Sequence, residues 1–290
     1  MFNKVFMLCI INISLFSCYN RDEKVDINNL IGNDYRLFQQ TPVWDLAKAV
    51  EDENTAEIEK IISKNKCLID YPDPKFGSTL LSLAVSNNQL VSVKKLLELG
   101  ADPNKHDRYE GSTPVIDACL SADPEILKLL LDYGGDPNST EHTAYKFDST
   151  ISQTNAFALK KAASYDILYV KILIEAGADV NKTDSLYNEG ALETALIQDN
   201  FEIAMYLLNN GADYKKKMSG TDEIPKVDIL YLLRLSIAPL DSKTYLQKLE
   251  VIDFLKKKGL NYWTYPIPER VINQAKKRYP DKWQEYLKRY

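Results

Sequence analysis

Two histidines, four cysteines and a set of loop aromatics are the side chains of this 290-residue sequence with the most chemical potential. His106 and His142 both fall in segments read as loops, and neither has a Cys, an Asp or a second His at the spacing that ligates a metal. Cys119 sits in an expected helix and Cys67 just past an earlier one, so they are expected to form neither a disulfide nor a metal site. The patterns HExxH, GxSxG and GxGxxG are missing, as is a phosphate-binding loop. No catalytic residue, metal, cofactor or small-molecule substrate is expected. What the loops do hold is aromatic and basic: Phe76, His106, Arg108, Tyr109, His142, Tyr145, Phe147, Tyr187 and Tyr214, with Tyr71 beside them. Tyr and Arg are frequent anchors of protein interfaces, so these residues are read as contacts for a partner protein.

The elements that must carry those loops repeat. In Leu90 to Asn104 the residues Leu90, Val93, Leu96 and Leu97 share one stripe of a helix, and Gly100 follows where a helix end favours a left-handed residue. The same phrase returns before Gly134, Gly177 and Gly211, at intervals of 34, 43 and 34 residues. Seven, four and three residues before each glycine stand Val93, Leu96, Leu97; Leu127, Leu130, Leu131; Val170, Leu173, Ile174; and Ala204, Leu207, Leu208. Any helix has an apolar stripe, but a stripe locked to a glycine at a near-fixed period signals a solenoid.

Upstream of each stripe a second helix is expected, and two of these carry T-L-L-S-L-A, Thr79 to Ala84, and T-P-V-I-D-A, Thr113 to Ala118. They resemble the Thr-Pro-Leu-His-x-Ala opening of ankyrin repeats. The resemblance implies an all-α ankyrin-repeat solenoid of about six helix-turn-helix repeats over residues 41–262, with a helical C-terminal cap over 263–290. It also implies a non-catalytic module that binds a partner protein through its loops and concave face. Ser82 and Ile116 replace the motif's His, so the bonds which that His makes between repeats are not expected and the stack should be less regular. Repeat one opens at Thr41-Pro42 and is expected to end left-handed at Asn65, after Ile58, Ile61 and Ile62. Repeats two and three run over about 74–106 and 109–141, an insertion falls within 139–153, and repeats four and five reach about Lys217. A sixth, terminal repeat ends near Gly259 with Ile252 and Leu255 as its stripe; Trp263, Tyr279, Trp283, Tyr286 and Leu287 form the apolar side of the cap.

The first 17 residues read as a signal peptide, with Lys4 before the apolar run Val5 to Phe16, too short to cross a bilayer. Leu15-Phe16-Ser17-Cys18 resembles the bacterial lipobox, with Phe16 where a small residue is usual. The resemblance implies a lipid on Cys18 and a place at the bacterial outer membrane, facing the periplasm or the cell surface. Residues 18–40 are expected to be a flexible tether reaching roughly 25 Å. Its Arg21-Asp22-Glu23 resembles a short signal that sends lipoproteins to the outer face. Cys18 to Tyr262 carries −10 and Trp263 to Tyr290 +4, an acidic body that argues against nucleic acid. The expected protein is a monomer with one unidentified protein partner; a toxin-neutralising immunity-type inhibitor and a surface glycan-binding or structural lipoprotein are the alternatives.

Overall fold

In a computed structural model, the residues described are 21–142, 155–185, 187–218 and 227–290. The signal peptide and Cys18 lie outside the described residues. Among the described residues the chain is helical, with isolated β-bridges only.

Six helix pairs follow one another: α1 Trp44–Glu51 with α2 Thr55–Lys64, α3 Leu80–Ser86 with α4 Leu90–Glu98, and α5 Pro114–Ala118 with α6 Pro124–Asp132. Then come α7 Ala158–Ala163 with α8 Ile167–Glu175, α9 Ala191–Ile197 with α10 Phe201–Asn209, and α11 Ile229–Leu235 with α12 Lys243–Lys257. First helices pack on first helices and second helices on second helices along the series. The result is the expected two-layered solenoid, closed by α13 Glu269–Arg278 and α14 Trp283–Arg289.

Local chemistry explains several of the starts and stops. Thr79 and Thr113 cap α3 and α5 by accepting from the N–H of Ser82 and Ile116, and Pro114 occupies the first turn of α5, where its missing N–H costs nothing. Gly100, Gly134, Gly177, Gly211 and Gly259 all have φ near +90°, as a helix end read through by the chain requires. Asn65 departs from that scheme. Its φ is −151°, and its side chain instead caps a 3₁₀ turn at Lys66–Leu68.

The stripes are inside: Val93, Leu96, Leu97, Leu127, Leu130, Val170, Leu173, Ala204, Leu207 and Leu208 are buried. Leu131 and Ile174 are only partly buried, although Leu97 and Leu208 at the same position of the stripe are buried. The three joints between repeats two and five are also stapled by one Asn each. Asn104 donates to Gly134 O at 2.9 Å and accepts from Asp136 N at 2.7 Å. Asn138 bonds Gly177 O and Asp179 N, and Asn181 bonds Gly211 O and Asp213 N, in the same way. The ladder stops where Lys215 takes the next such place; the ring of Tyr214, one residue before it, turns onto Phe254 at 6.5 Å.

The expectation of a flexible tether over 18–40 is corrected for its described part. Leu37 and Phe38 are fully buried, in a 3₁₀ turn Tyr35–Phe38 that packs on α1. Arg21 forks onto Asp52 at 2.7 and 3.0 Å, and Asp22 accepts from the Trp44 indole at 3.0 Å. The aromatic and aliphatic side chains of this segment bury apolar surface that the first repeat, having no neighbour on that side, would otherwise expose.

The cap is a small core of its own, of Val271, Ala275, Tyr286 and Tyr290, with Tyr279, Trp283 and Leu287 against it. Trp263, expected on the apolar side, is 49% exposed and only edges onto Tyr262 at 5.2 Å. The cap's centre is polar. Arg234, 2% exposed, donates to Tyr290 O at 2.9 Å and Tyr262 O at 2.8 Å and lies 3.8 Å over the Tyr262 ring. Lys248, 1% exposed, lies 3.9 Å over the Tyr290 ring; burial, with Arg234 beside it, pushes its ammonium down to about 7.

Candidate functional site

The loops that join one repeat to the next are built around an aspartate. Asp107 Oδ1 accepts from the N–H groups of Tyr109, Glu110 and Gly111, at 2.7–3.2 Å, and Oδ2 from Ser112 N–H at 3.1 Å. Asp73 holds Lys75, Phe76 and Ser78 likewise, and Asp184 holds Tyr187. Such self-bonded turns present their tips in one fixed pose. Each aspartate stands six residues before a helix N-cap, at Thr79, Thr113 and Gly190, a spacing visible in the sequence.

Those turns decide the fate of the expected contact residues. Phe76 and Tyr109, from successive loops, meet edge to face at 5.4 Å, with Tyr109 42% exposed. Arg108 is drawn back: it crosses Gly77 and donates to Asp73 O at 2.8 Å. His106 and His142, unrelated by spacing, come together at 4.9 Å, and His106 Nδ1 is 2.7 Å from Gly111 O. Gly111 cannot carry a side chain, since a Cβ would lie 2.0 Å from His142 O at φ +66°. Among the described residues no group of three or more His, Cys, Asp or Glu is placed to hold a metal. Cys67 is exposed and Cys119 buried, each as a free thiol. Tyr71 is half-buried beside the core, Tyr187 is 50% exposed, and Tyr214 is turned inward. Tyr145 and Phe147 lie outside the described residues.

Behind the loop tips runs a row of charges that sequence reasoning missed. At the place of the motif's His, repeats four and five carry Lys160 and Glu193. Lys160 bonds Asp184 at 2.6 Å and Glu193 bonds Lys216 at 2.9 Å, each reaching the following loop. Burial opposes ionisation of Asp184, but the bond from Lys160 and the N–H of Tyr187 hold its carboxyl below the usual range. Lys161 pairs with Glu141 at 2.9 Å. These pairs take over the tie between repeats that Ser82 and Ile116 do not provide.

Between the loops of repeats two and three lies a cleft of about 370 Å³. Its walls are Phe76 and Tyr109, the turn Asp107–Ser112, Asp117 of α5, Ser86 of α3, and Gly32–Asn33 of the N-terminal segment. Asp117 accepts from Ser112 Oγ at 2.6 Å. Burial, reinforced by the charges of Asp107 and Glu110 and opposed by Ser112 and Lys161, pushes its carboxyl up to about 7. The arrangement offers aromatic surface and negative charge, and no nucleophile set beside a base. A second hollow of about 510 Å³ lies between Asn33–Arg36, Glu51, Asn87 and Gln89.

A family profile described as "Ankyrin repeats (3 copies)" matches residues 46–141, which are α1 to α6 with their loops. The chain is 27% identical over 200 residues to the ankyrin repeat and KH domain-containing protein mask-1 of Caenorhabditis elegans, covering 62% of this chain and 7% of that one. It is 29% identical over 127 residues to human ankyrin repeat and SOCS box protein 6, covering 42% and 28%. It is 34% identical over 94 residues to a putative ankyrin repeat protein of Rickettsia bellii, covering 32% and 11%. The chain thus spans less than a third of the length of these relatives. It carries ankyrin repeats, a class generally of non-catalytic binding modules, and none of these relatives bears an enzyme's name.

Proposed function

We propose that this chain is a monomeric binding module held at the bacterial outer membrane by lipid on Cys18, which grips one partner protein with its loop tips and the face of its first helices. The observation that carries the reading is the cleft beside Tyr109, where a rigid turn sets an aromatic side chain at the edge of a space of about 370 Å³. Fixed tips bind with little loss of conformational freedom, which favours a specific partner. The Leu15-Phe16-Ser17-Cys18 pattern supports the anchor.

Two measurements test this. A photo-crosslinking amino acid at Tyr109, and separately at Tyr187, should trap one discrete protein in intact cells; no adduct from either position refutes the binding reading. Metabolic labelling with a fatty acid should mark the chain and fail in Cys18→Ala, and protease shaving of intact cells then tells which side of the outer membrane the repeats face. Unlabelled wild-type protein refutes the anchor alone.

A further inference from the structure

The cleft between repeats two and three has a chemistry narrower than protein binding in general. Its inner wall is the Asp117 carboxylate, half-buried and bonded by one hydroxyl; its mouth carries Glu110, exposed; its sides are the rings of Phe76 and Tyr109. Among the described residues, the cations around it are committed elsewhere. Lys75 lies over the Phe76 ring at 4.6 Å and donates to Asn28 O and Leu30 O. Arg108 is held at Asp73 O, and Lys161 of α7 faces Asp117 but is paired with Glu141. Asp107 is saturated by the four N–H groups of its own turn. Among the described residues the cleft thus sets negative charge beside aromatic surface, in a space large enough for one long side chain.

We propose, resting on the binding reading above, that this cleft receives an arginine of an extended basic segment of the partner protein, its guanidinium lying against Tyr109 and bonding Asp117 and Glu110. Guanidinium is the matching group because it is planar, stacks on rings and offers several N–H donors to carboxylates at once, whereas an ammonium is a compact, strongly hydrated point charge. Asn33 of the N-terminal segment lines both this cleft and the hollow of about 510 Å³ next to it, which gives an extended chain a wall to lie on.

The test uses the full chain and a fluorescein-labelled (Arg-Gly-Ser)3 peptide, read by polarisation, against (Lys-Gly-Ser)3 and (Glu-Gly-Ser)3. The arginine peptide should bind best. Asp117→Asn and Tyr109→Ala should each weaken it roughly tenfold or more, and Glu110→Gln, at an exposed site, by a smaller factor. Melting temperatures of the variants show that the fold is kept; Asp117→Asn keeps the Ser112 contact and Glu110→Gln touches no core. Affinity should rise between pH 6 and 8 as Asp117 ionises, and this rise should vanish in Asp117→Asn. A rise that survives there overturns the role of Asp117. Equal binding of the lysine peptide, or arginine binding indifferent to Asp117 and Tyr109, overturns the assignment. A crosslinked partner with no arginine near the Tyr109 adduct does so too, and leaves the binding module standing.

Discussion

The repeats from α3 to α10 and the closing unit from α11 to α14 use the same helix pair but hold it by opposite means. In the first region the joints are many, small and neutral or neatly paired: Asn104, Asn138 and Asn181, each with two bonds, and the Lys160–Asp184 and Lys216–Glu193 pairs. In the second, one buried guanidinium gathers the main chain of Tyr262 and Tyr290. A distributed ladder tolerates the loss of a rung, while a concentrated knot does not. An interior repeat meets a copy of itself on both sides, so a repeating residue can serve each joint; a terminal repeat meets something unlike itself and needs a device of its own.

The largest test of that contrast is Arg234→Met, which leaves two buried carbonyls without donors and should cost about 2–5 kcal/mol. Hydrogen exchange should then accelerate in α11 to α14 ahead of α3 to α10; equal acceleration throughout would merge the two regions into one cooperative unit. Leu97→Ala should cost a similar roughly 2–5 kcal/mol by leaving a cavity, and Leu131→Ala clearly less, since Leu131 is only half-buried. Lys248→Met should stabilise by roughly 1–4 kcal/mol near pH 7. Its folded pKa, about 7, lies below the ordinary 10.5, so the wild type gains stability as pH rises through that window and the advantage of Met should shrink toward pH 10. Chemical denaturation at both pH values measures it. Smallest is Asn138→Ala, which removes one rung and should cost about 1–2 kcal/mol; a loss as large as that of Arg234→Met would end the distinction between ladder and knot.

Much of the ladder region was legible from sequence because its signals are local and repeat: stripe, glycine and cap lie within one helix pair. The rest depended on distance along the chain. The Arg234 bonds span 28 and 56 residues, so nothing near Arg234 says why a charge interrupts the apolar run Ile229–Leu235. His106 and His142 meet only because their turns are stacked by the repeats between them. Leu30, Leu37 and Phe38 are too irregularly spaced to show a helical period, and they form 3₁₀ turns and an extended stretch, so their burial left no pattern. For the cleft, the aromatic walls were visible as loop residues. Asp117 was not singled out, since an acidic residue in a first turn reads as ordinary helix chemistry until the neighbouring loop closes over it.

The packed N-terminal segment changes what an anchor at Cys18 would be. With Arg21 already clamped to Asp52 and Glu51, two residues separate that cysteine from the folded body. A leash lets its load search a hemisphere; a mooring that short fixes one end of the solenoid against the bilayer and limits the tilts it can adopt. Its reach would then come from the length of the solenoid itself, and a partner approaching from far along the membrane normal would meet the Arg234 end before the Tyr109 cleft.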